Sequence, residues 1–536
     1  MARPLTIPTR LLAVTTALAL LAGCTPPGAD DGATPTTGGA AGTASTATTG
    51  VESTSDDTTT DQTGSSAEDT PEGLEDFYSQ TLAWTECEIA FECATLSVPI
   101  DYTDPSAASI ELALLRSPAP GDARGSLVVN PGGPGVSGVD YAMAAPAVVP
   151  EEILSAFDVV GFDPRGVARS APITCYTDQQ LDDYLGADPS PDDAAEEDEA
   201  DARLQDFAEA CDDNAGELLG HVSTVEAAKD MDVLRAALGQ EQLTYLGASY
   251  GTLLGATYAS LFPERVGRFV LDGAVDPGLS ELEMGLGQAT GFERATRAYV
   301  EDCVAVGGCP LGDDVDTAML RIPAFLEELD ADPLPVQGDV VDELTEGWGV
   351  LGIVMAMYAQ DYWPILTQAL EQAEQGDGTL LMFLANTYVT RSADGDYRGN
   401  LMQAISAVNC LDRPGDTGGE DLDSDAVQRR FEEVSPTWGR YLAGEGACQY
   451  WPVEAVERVD DYAAEGAAPI LVIGTTRDPA TPHEWAVALA ETLDSGVLIS
   501  YDGDGHTAYG RSNECVDDAV DAYLLEGTVP EDDLTC

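Results

Sequence analysis

A serine between small residues is the clearest chemical signal in this sequence. Residues 247–251 read Gly-Ala-Ser-Tyr-Gly and fit the pattern G-x-S-x-G. An apolar run at 243–246 predicts a strand before the motif, and the run at 253–259 predicts a helix after it. Small neighbours let strand and helix approach around a tight turn, and a helix N-terminus favours negative charge on a nearby oxygen. We therefore predict that Ser249 is a nucleophile for acyl transfer.

A serine hydroxyl needs a base to accept its proton, and the chain has three histidines, His221, His483 and His506. His221 precedes Ser249 and lies before a predicted helix, so we interpret it as a surface or capping residue. His483 lies just inside a helix that Pro482 begins. His506 lies in a loop after a predicted strand, where the base of a strand–turn–helix hydrolase is expected. His506 is therefore the predicted base.

The imidazole in turn needs an acid that orients it and stabilises its cation. Asp478 follows the predicted strand at 470–473 and precedes the base in the chain, so it is the predicted acid. Asp272, which follows an earlier predicted strand, is the alternative. If Asp478 is the acid, Asp272 and Asp276 are interpreted as turn formers.

A glycine-rich turn after an early strand predicts the site that stabilises the oxyanion. Residues 130–135 read Asn-Pro-Gly-Gly-Pro-Gly. Such a turn lets backbone N–H groups approach the substrate carbonyl. We predict an oxyanion hole formed by Gly132, Gly133 and the N–H of Tyr250.

These residues need a scaffold that brings several strand ends together. Short apolar runs alternate with helical patterns, and most runs are continuous, as in strands covered on both faces. Helical faces lie between them, for example Ala227, Met231, Leu234 and Leu238. This alternation predicts a doubly wound, mostly parallel α/β sheet. The predicted strands lie at 110–115, 126–130, 158–162, 243–246, 268–271, 470–473 and 497–501.

The alternation stops between about residues 278 and 460, where helix formers dominate. We interpret 278–460 as a helical cap insertion over the carboxyl ends of the strands, where open α/β sheets bind ligands. The core then consists of residues 76–277 and 461–536. The segment 25–75 is rich in Thr, Gly, Ser, Ala and Asp, which predicts a flexible tether.

Residues 1–24 have the pattern of a targeting segment. A basic start is followed by an apolar run at 11–22 that is too short to span a bilayer, and then by Leu-Ala-Gly-Cys. This ending resembles a bacterial lipobox, in which the cysteine is diacylated and becomes the mature N-terminus. Cys24 is thus the predicted lipidation site, and an ordinary secretory signal is the alternative. We expect an exported chain that is lipid-anchored to the outer face of the cell membrane, with release into the medium as a further route.

The net charge and the cysteine content limit which partners and cofactors we expect. With 96 acidic and 23 basic residues, the net charge of −73 repels phosphate backbones, so we expect no nucleic-acid partner. The absence of Cys-x-x-Cys and the scarcity of histidine disfavour a metal site.

After Cys24 an even number of cysteines remains, which in an exported chain predicts disulfides. Sequence does not determine the connectivity, but sequential pairing is simplest because each pair closes a short or medium loop: Cys87–Cys93, Cys175–Cys211, Cys303–Cys309, Cys410–Cys448 and Cys515–Cys536.

The motifs together resemble one family. The chain resembles the secreted tripeptidyl aminopeptidases and the related lipoprotein carboxylesterases and proteases, which are α/β hydrolases of the prolyl aminopeptidase superfamily. The resemblance runs from about residue 82 to 536, and it implies the α/β-hydrolase fold with Ser249, Asp478 and His506 as the triad. The motifs that carry it are Asn-Pro-Gly-Gly-Pro-Gly at 130–135, Phe-Asp-Pro-Arg-Gly at 162–166, Gly-Ala-Ser-Tyr-Gly-Thr at 247–252, Asp-Pro-Ala-Thr-Pro at 478–482 and Gly-His-Thr at 505–507.

Asn130-Pro131 stands where many prolyl aminopeptidases have a histidine, which favours the tripeptidyl branch. The resemblance implies an exopeptidase that releases short N-terminal peptides through an acyl-enzyme, without a cofactor. A carboxylesterase acting on lipid or cell-wall esters is the alternative, because one triad serves both reactions. A binding module that kept the fold is a third class, and the presence of all three triad residues disfavours it.

Overall fold

The computed structural model describes residues 70–413, 418, 424–443 and 446–536. Within them, ten strands form one sheet in the order β1-β2-β3-β5-β4-β6-β7-β10-β11-β12, and β8 pairs with β9 in a separate two-stranded ribbon. The strands are β1 Thr85–Glu86, β2 Glu92–Pro99, β3 Ser109–Ser117, β4 Ser126–Asn130, β5 Asp158–Phe162, β6 Leu243–Ala248, β7 Val266–Asp272, β8 Leu334–Pro335, β9 Glu343–Leu344, β10 Ile470–Arg477, β11 Gly496–Asp504 and β12 Leu534–Thr535.

The sheet is parallel from β5 to β12, and it becomes antiparallel where β3 pairs with β5 and with β2. All seven predicted strands are present, and their continuous apolar runs are buried because helices cover both faces. The prediction missed β2, whose sequence Glu-Cys-Ala-Thr-Leu-Ser-Val-Pro has no continuous apolar run. The sheet confirms the predicted doubly wound α/β-hydrolase architecture.

Helices pack on both faces of this sheet and above one of its edges. Those before β10 that belong to the described chain are α1 Glu75–Tyr78, α2 Gly138–Val148, α3 Glu151–Ala156, α4 Asp178–Leu185, α5 Ala194–Ala215, α6 Thr224–Ala237, α7 Tyr250–Leu261, α8 Glu281–Val306, α9 Val315–Ala331, α10 Glu346–Met357, α11 Trp363–Glu374, α12 Thr379–Tyr388, α13 Leu401–Asp412, α14 Ser424–Val434 and α15 Gly439–Leu442. After β10 follow α16 His483–Thr492 and α17 Glu514–Glu526.

The stretch from α8 to α15 is the part of the chain that the sequence predicted as a helical insertion. Its described residues are helical apart from loops and the short β8–β9 ribbon. These helices bury a hydrophobic core of their own, which includes Trp348, Ile353, Leu366 and Trp438. The two sheet faces have separate clusters. The insertion thus packs as a layer above the sheet.

Five disulfides join the ten described cysteines in sequential order, which are the pairs expected from the sequence. Cys410–Cys448 ties α13 to the chain that leads back toward β10, and Cys515–Cys536 ties α17 to the C-terminus.

The leader at 1–24 with Cys24, and the tether up to residue 69, lie outside the described residues. None of the described helices is long and apolar enough to cross a membrane.

Candidate active site

Ser249 lies at the turn between β6 and α7, as the motif predicted. Its backbone has φ +56° and ψ −126°, a conformation that L-residues rarely adopt. The flanking glycines explain how closely the chain packs here. A Cβ atom at Gly247 would lie 2.3 Å from the Gly251 carbonyl oxygen on α7, and one at Gly251 would lie 2.8 Å from the Asn130 carbonyl oxygen at the end of β4. The Ser249 N–H donates to the backbone carbonyl of Asp272 at 2.9 Å, which ties the turn to the end of β7.

His506 and Asp478 come together across the ends of β10 and β11. The imidazole Nδ1 lies 2.9 Å from both Asp478 carboxylate oxygens. Asp478 is fully buried, and His506 is 8% exposed. This contact occupies Nδ1, so Nε2 is the ring nitrogen that remains for a proton acceptor role.

The loop after β10 holds the Asp478 carboxylate in place. Oδ1 accepts the backbone N–H groups of Ala480 and Thr481, both at 2.9 Å, and Oδ2 accepts the Thr481 hydroxyl at 3.1 Å. The Thr507 N–H reaches Oδ2 at 3.3 Å. Thr481 is a site residue that the motif did not predict, although its place three residues after an aspartate is typical of an Asx-type turn.

Asp272, the alternative acid, has a different role from the turn former that the sequence suggested. Its carboxylate accepts the N–H of Ala508 at 3.0 Å and of Tyr509 at 2.9 Å, so it holds the segment that directly follows His506. Burial raises the pKa of Asp272 to about 6, against the lowering effect of those N–H groups. The carbonyl of the same residue holds Ser249. Asp272 thus links the serine turn to the histidine loop.

The histidine ring lies against the chain that follows β7. A Cβ atom at Gly273, the residue after Asp272, would lie 3.2 Å from His506 Cε1. His506 is thereby placed at the end of the strand next to β6, the strand that leads to Ser249, whereas the other two histidines contact other residues. His221 Nδ1 lies 2.8 Å from a Glu226 carboxylate oxygen, and His483 Nε2 lies 2.8 Å from the Ser500 hydroxyl.

The glycine-rich turn after β4 lies directly beside Ser249. A Cβ atom at Gly132 would be 2.9 Å from Ser249 Cβ and 3.0 Å from the Tyr250 nitrogen. The Gly132 N–H, however, donates to the Asn130 side-chain oxygen at 2.9 Å. The sequence predicted Gly132 as an oxyanion donor, but this bond occupies its N–H. Among the described residues, neither the Gly133 N–H nor the Tyr250 N–H donates a hydrogen bond to a backbone acceptor.

The Phe-Asp-Pro-Arg-Gly motif after β5 has a structural role. Asp163 is fully buried and accepts the Val139 N–H at 3.1 Å and the Ser137 hydroxyl at 2.5 Å, which fixes the start of α2 behind the glycine-rich turn. Arg165 is also buried and forms a two-pronged ion pair with Asp230 on α6, at 2.7 and 2.6 Å. The motif therefore fastens the site to the core.

Helices of the insertion contact the loops that carry the site. On α8, a Cβ atom at Gly291 would lie 3.0 Å from the Asp478 carbonyl oxygen. After α10, the Tyr358 carbonyl accepts the His506 N–H at 2.9 Å, and the two rings are 5.4 Å apart in an edge-on arrangement. On α13, Ala404 would be 2.9 Å from a Cβ atom at Gly135 in the glycine-rich turn. Helices between α8 and α13 therefore contact the loops that carry Asp478, His506 and the glycine-rich turn.

Comparison with known proteins agrees with this geometry. The family model described as TAP-like protein matches residues 435–536. Serine protease Hip1 of Mycobacterium tuberculosis is 39% identical over 480 residues, which cover 85% of this chain and 91% of that protein. Carboxylesterase B of the same species is 40% identical over 457 residues, or 83% and 86% of the two chains.

The tripeptidyl aminopeptidase of Streptomyces coelicolor is 31% identical over 472 residues, which cover 84% of this chain and 85% of that protein. Among solved structures, the proline iminopeptidase of Mycobacterium smegmatis aligns at 14% identity with a TM-score of 0.36, over 80% of this chain and 97% of that one. Because the chain is at least 31% identical to each of these three relatives over more than 80% of its length, it belongs to the tripeptidyl-aminopeptidase-like family of α/β hydrolases, and it is a serine hydrolase.

Proposed function

We propose that this serine hydrolase is an exported aminopeptidase that releases short N-terminal peptides through an acyl-enzyme on Ser249. His506 Nε2 takes the Ser249 proton as the oxygen attacks the scissile carbonyl. Asp478, bonded to Nδ1, stabilises the imidazolium that forms. The tetrahedral intermediate then expels the amine, which receives the proton from His506, and water releases the acyl group by the same steps in reverse order.

In this proposal, the N–H groups of Gly133 and Tyr250 donate hydrogen bonds to the oxyanion and stabilise it. Tyr250 directly follows Ser249, and Gly133 directly follows Gly132, where a Cβ atom would lie 2.9 Å from Ser249 Cβ. Among the described residues, neither N–H donates a hydrogen bond to a backbone acceptor. Tyr250 is also the first residue of α7, where N–H groups have no partner within the helix. Gly132 then acts indirectly, because a side chain at that position would collide with the nucleophile.

The observation that carries the exopeptidase proposal is the contact of the insertion with three segments of the site. α8 lies on the Asp478 loop, Tyr358 on His506, and α13 on the glycine-rich turn. A cover of this kind can close one end of the cleft, so that only a few residues extend beyond the scissile bond. The charged group at that end would be the substrate's α-amino group, and an unpaired buried charge is strongly disfavoured.

Acetylation of the substrate's N-terminus tests this proposal. We expect an N-acetylated tripeptide substrate to have a kcat/KM at least ~10²-fold below that of the free-amine peptide, because the acetyl group removes the charge that the closed end recognises. The measurement compares the two peptides with the same leaving group. A peptide extended by several residues at its N-terminus is the matched steric control, and it is also expected to be a poor substrate.

A carboxylesterase is the second candidate, because carboxylesterase B is 40% identical to this chain. The triad serves ester and amide substrates alike. If acetylated peptides and short-chain esters are hydrolysed as well as free-amine peptides, the exopeptidase proposal is wrong and the esterase takes its place.

We further propose that the chain is held at the outer face of the membrane by a lipid on Cys24. The support is the lipobox-like ending of the first 24 residues and the low-complexity tether that follows. Metabolic labelling with a fatty-acid analogue is expected to mark the wild type and not Cys24→Ser. A wild-type protein that is exported without label would show simple secretion instead.

A further inference from the structure

Asn130 lies between the two segments that carry the proposed oxyanion donors. It is the last residue of β4, leads directly into the glycine-rich turn, and is 1% exposed. A Cβ atom at Gly251, the second residue of α7, would lie 2.8 Å from the Asn130 carbonyl oxygen and 2.9 Å from its side-chain oxygen. One buried residue therefore packs against the start of α7, which carries the Tyr250 N–H, and begins the turn that carries the Gly133 N–H.

The Asn130 side chain also fixes the shape of that turn. Its Oδ1 accepts the N–H of Gly132, two residues further on, at 2.9 Å, which is the hydrogen bond of an Asx turn. The residue between them is Pro131, whose ring restricts φ. Gly132 and Gly133 follow with φ of +93° and +109°, a region that glycine adopts without strain. The side-chain bond thus limits the directions in which the next N–H, that of Gly133, can point.

The other end of the Asn130 amide has no partner. The Gly132 N–H is a donor, so the amide atom that faces it is the oxygen. Nδ2 is buried and has no hydrogen-bond partner among the described residues. A buried donor without a partner destabilises the fold, and an apolar side chain of similar size avoids that loss. Stability alone therefore does not favour asparagine here, and departures of this kind are typical of functional sites.

We propose that Asn130 is a positioning residue that sets the spacing between the two oxyanion donors, the N–H groups of Gly133 and Tyr250. This inference rests on the proposed function, because it concerns the oxyanion of the acyl-transfer reaction. The donors act most strongly on the charged oxygen of the transition state, and they must lie within hydrogen-bonding distance of the place that this oxygen occupies. A change at Asn130 should therefore lower kcat and leave KM nearly unchanged.

The test compares Asn130→Ala with Asn130→Ser, which differ by one hydroxyl. A serine hydroxyl accepts the N–H two residues further on, as asparagine does, but more weakly. We expect Asn130→Ala to lower kcat at least ~10-fold, which is part of the ~10²–10³-fold loss that removal of a whole oxyanion donor causes. Asn130→Ser should recover part of this loss. The substrates are Ala-Ala-Ala p-nitroanilide and p-nitrophenyl acetate, because the amide and the ester both pass through an oxyanion.

A tripeptide trifluoromethyl ketone separates positioning from a general effect on the fold. It forms a tetrahedral adduct with the serine and places an oxyanion between the donors, so its inhibition constant should rise by the factor by which kcat falls. Asn386→Ala is the matched control, because Asn386 is a buried asparagine of α12 whose amide contacts Asp339 and Arg391. We expect this control to lower the melting temperature without changing kcat per site labelled by a fluorophosphonate at completion.

Two results would overturn the positioning role. One is a kcat of Asn130→Ala that stays within ~3-fold of the wild type on both substrates. The other is a lowered kcat with an unchanged inhibition constant for the trifluoromethyl ketone, since the loss then has another origin. If Asn130→Ala does not fold, Asn130→Leu replaces it, because leucine fills a similar volume without an acceptor. A wild type that hydrolyses neither substrate would refute the proposed function and this inference together, whereas an active wild type matched by the variant refutes this inference alone.

Discussion

Ser249→Ala is expected to lower kcat by at least ~10⁴-fold, because removal of the nucleophile leaves only the oxyanion donors and substrate binding to accelerate the reaction. The same variant should lose labelling by a fluorophosphonate probe. Ser249 combines a strained turn, a position at the start of α7 and a contact with the glycine-rich loop. We therefore expect a single labelled peptide in the wild type.

Peptide mapping of the labelled protein identifies the modified residue directly. A probe adduct on another serine, or undiminished labelling of Ser249→Ala, would contradict the assignment of the nucleophile. Because the alanine variant removes only a hydroxyl, its circular dichroism and melting temperature should match those of the wild type, which separates loss of chemistry from loss of fold.

Asp478→Asn and His506→Ala are each expected to lower kcat by ~10³-fold or more. An asparagine at 478 cannot stabilise the imidazolium, and its amide favours the wrong histidine tautomer. The other two histidines contact Glu226 and Ser500, so neither is placed to replace His506 as the proton acceptor. The measurement is steady-state kinetics on one free-amine peptide with the folded variants.

Two control variants make this prediction specific. His483→Ala should have little effect, since its ring contacts Ser500 rather than the site. Asp272→Asn keeps one acceptor oxygen for the N–H groups of Ala508 and Tyr509, so its effect should be much smaller than that of Asp478→Asn. If Asp272→Asn or His483→Ala is the inactive variant while Asp478→Asn retains activity, our assignment of the acid or the base is wrong.

Sequence predicted the positions that local constraints determine. A tight turn with positive φ at Ser249 requires small residues on either side, and the continuous apolar runs mark strands that helices cover on both faces. Strand β2 escaped prediction because its side chains alternate in character and half of them are partly exposed. Such local signals weaken wherever one face of an element meets solvent.

The sequence did not predict which groups form hydrogen bonds with residues far away in the chain. Asp272 resembles a turn former when only Gly273 is considered, yet it bonds Ala508 and Tyr509, which lie more than 230 residues later in the chain. Gly132 resembles an oxyanion donor, yet the Asn130 side chain occupies its N–H. Each correction depends on which groups meet in space, and spacing along the chain does not specify that.

The sequence by itself predicted the residues of the candidate site: a serine on a glycine-flanked turn, a later aspartate and histidine, and an even set of cysteines that the structure joins in sequential pairs. These are properties of residue type and order, which short-range geometry controls. Only the tertiary structure decided that Asp478 rather than Asp272 meets His506. The physical reason is that parallel strands bring their carboxyl ends to one edge of the sheet, and the contacts made there have no signature in the local sequence.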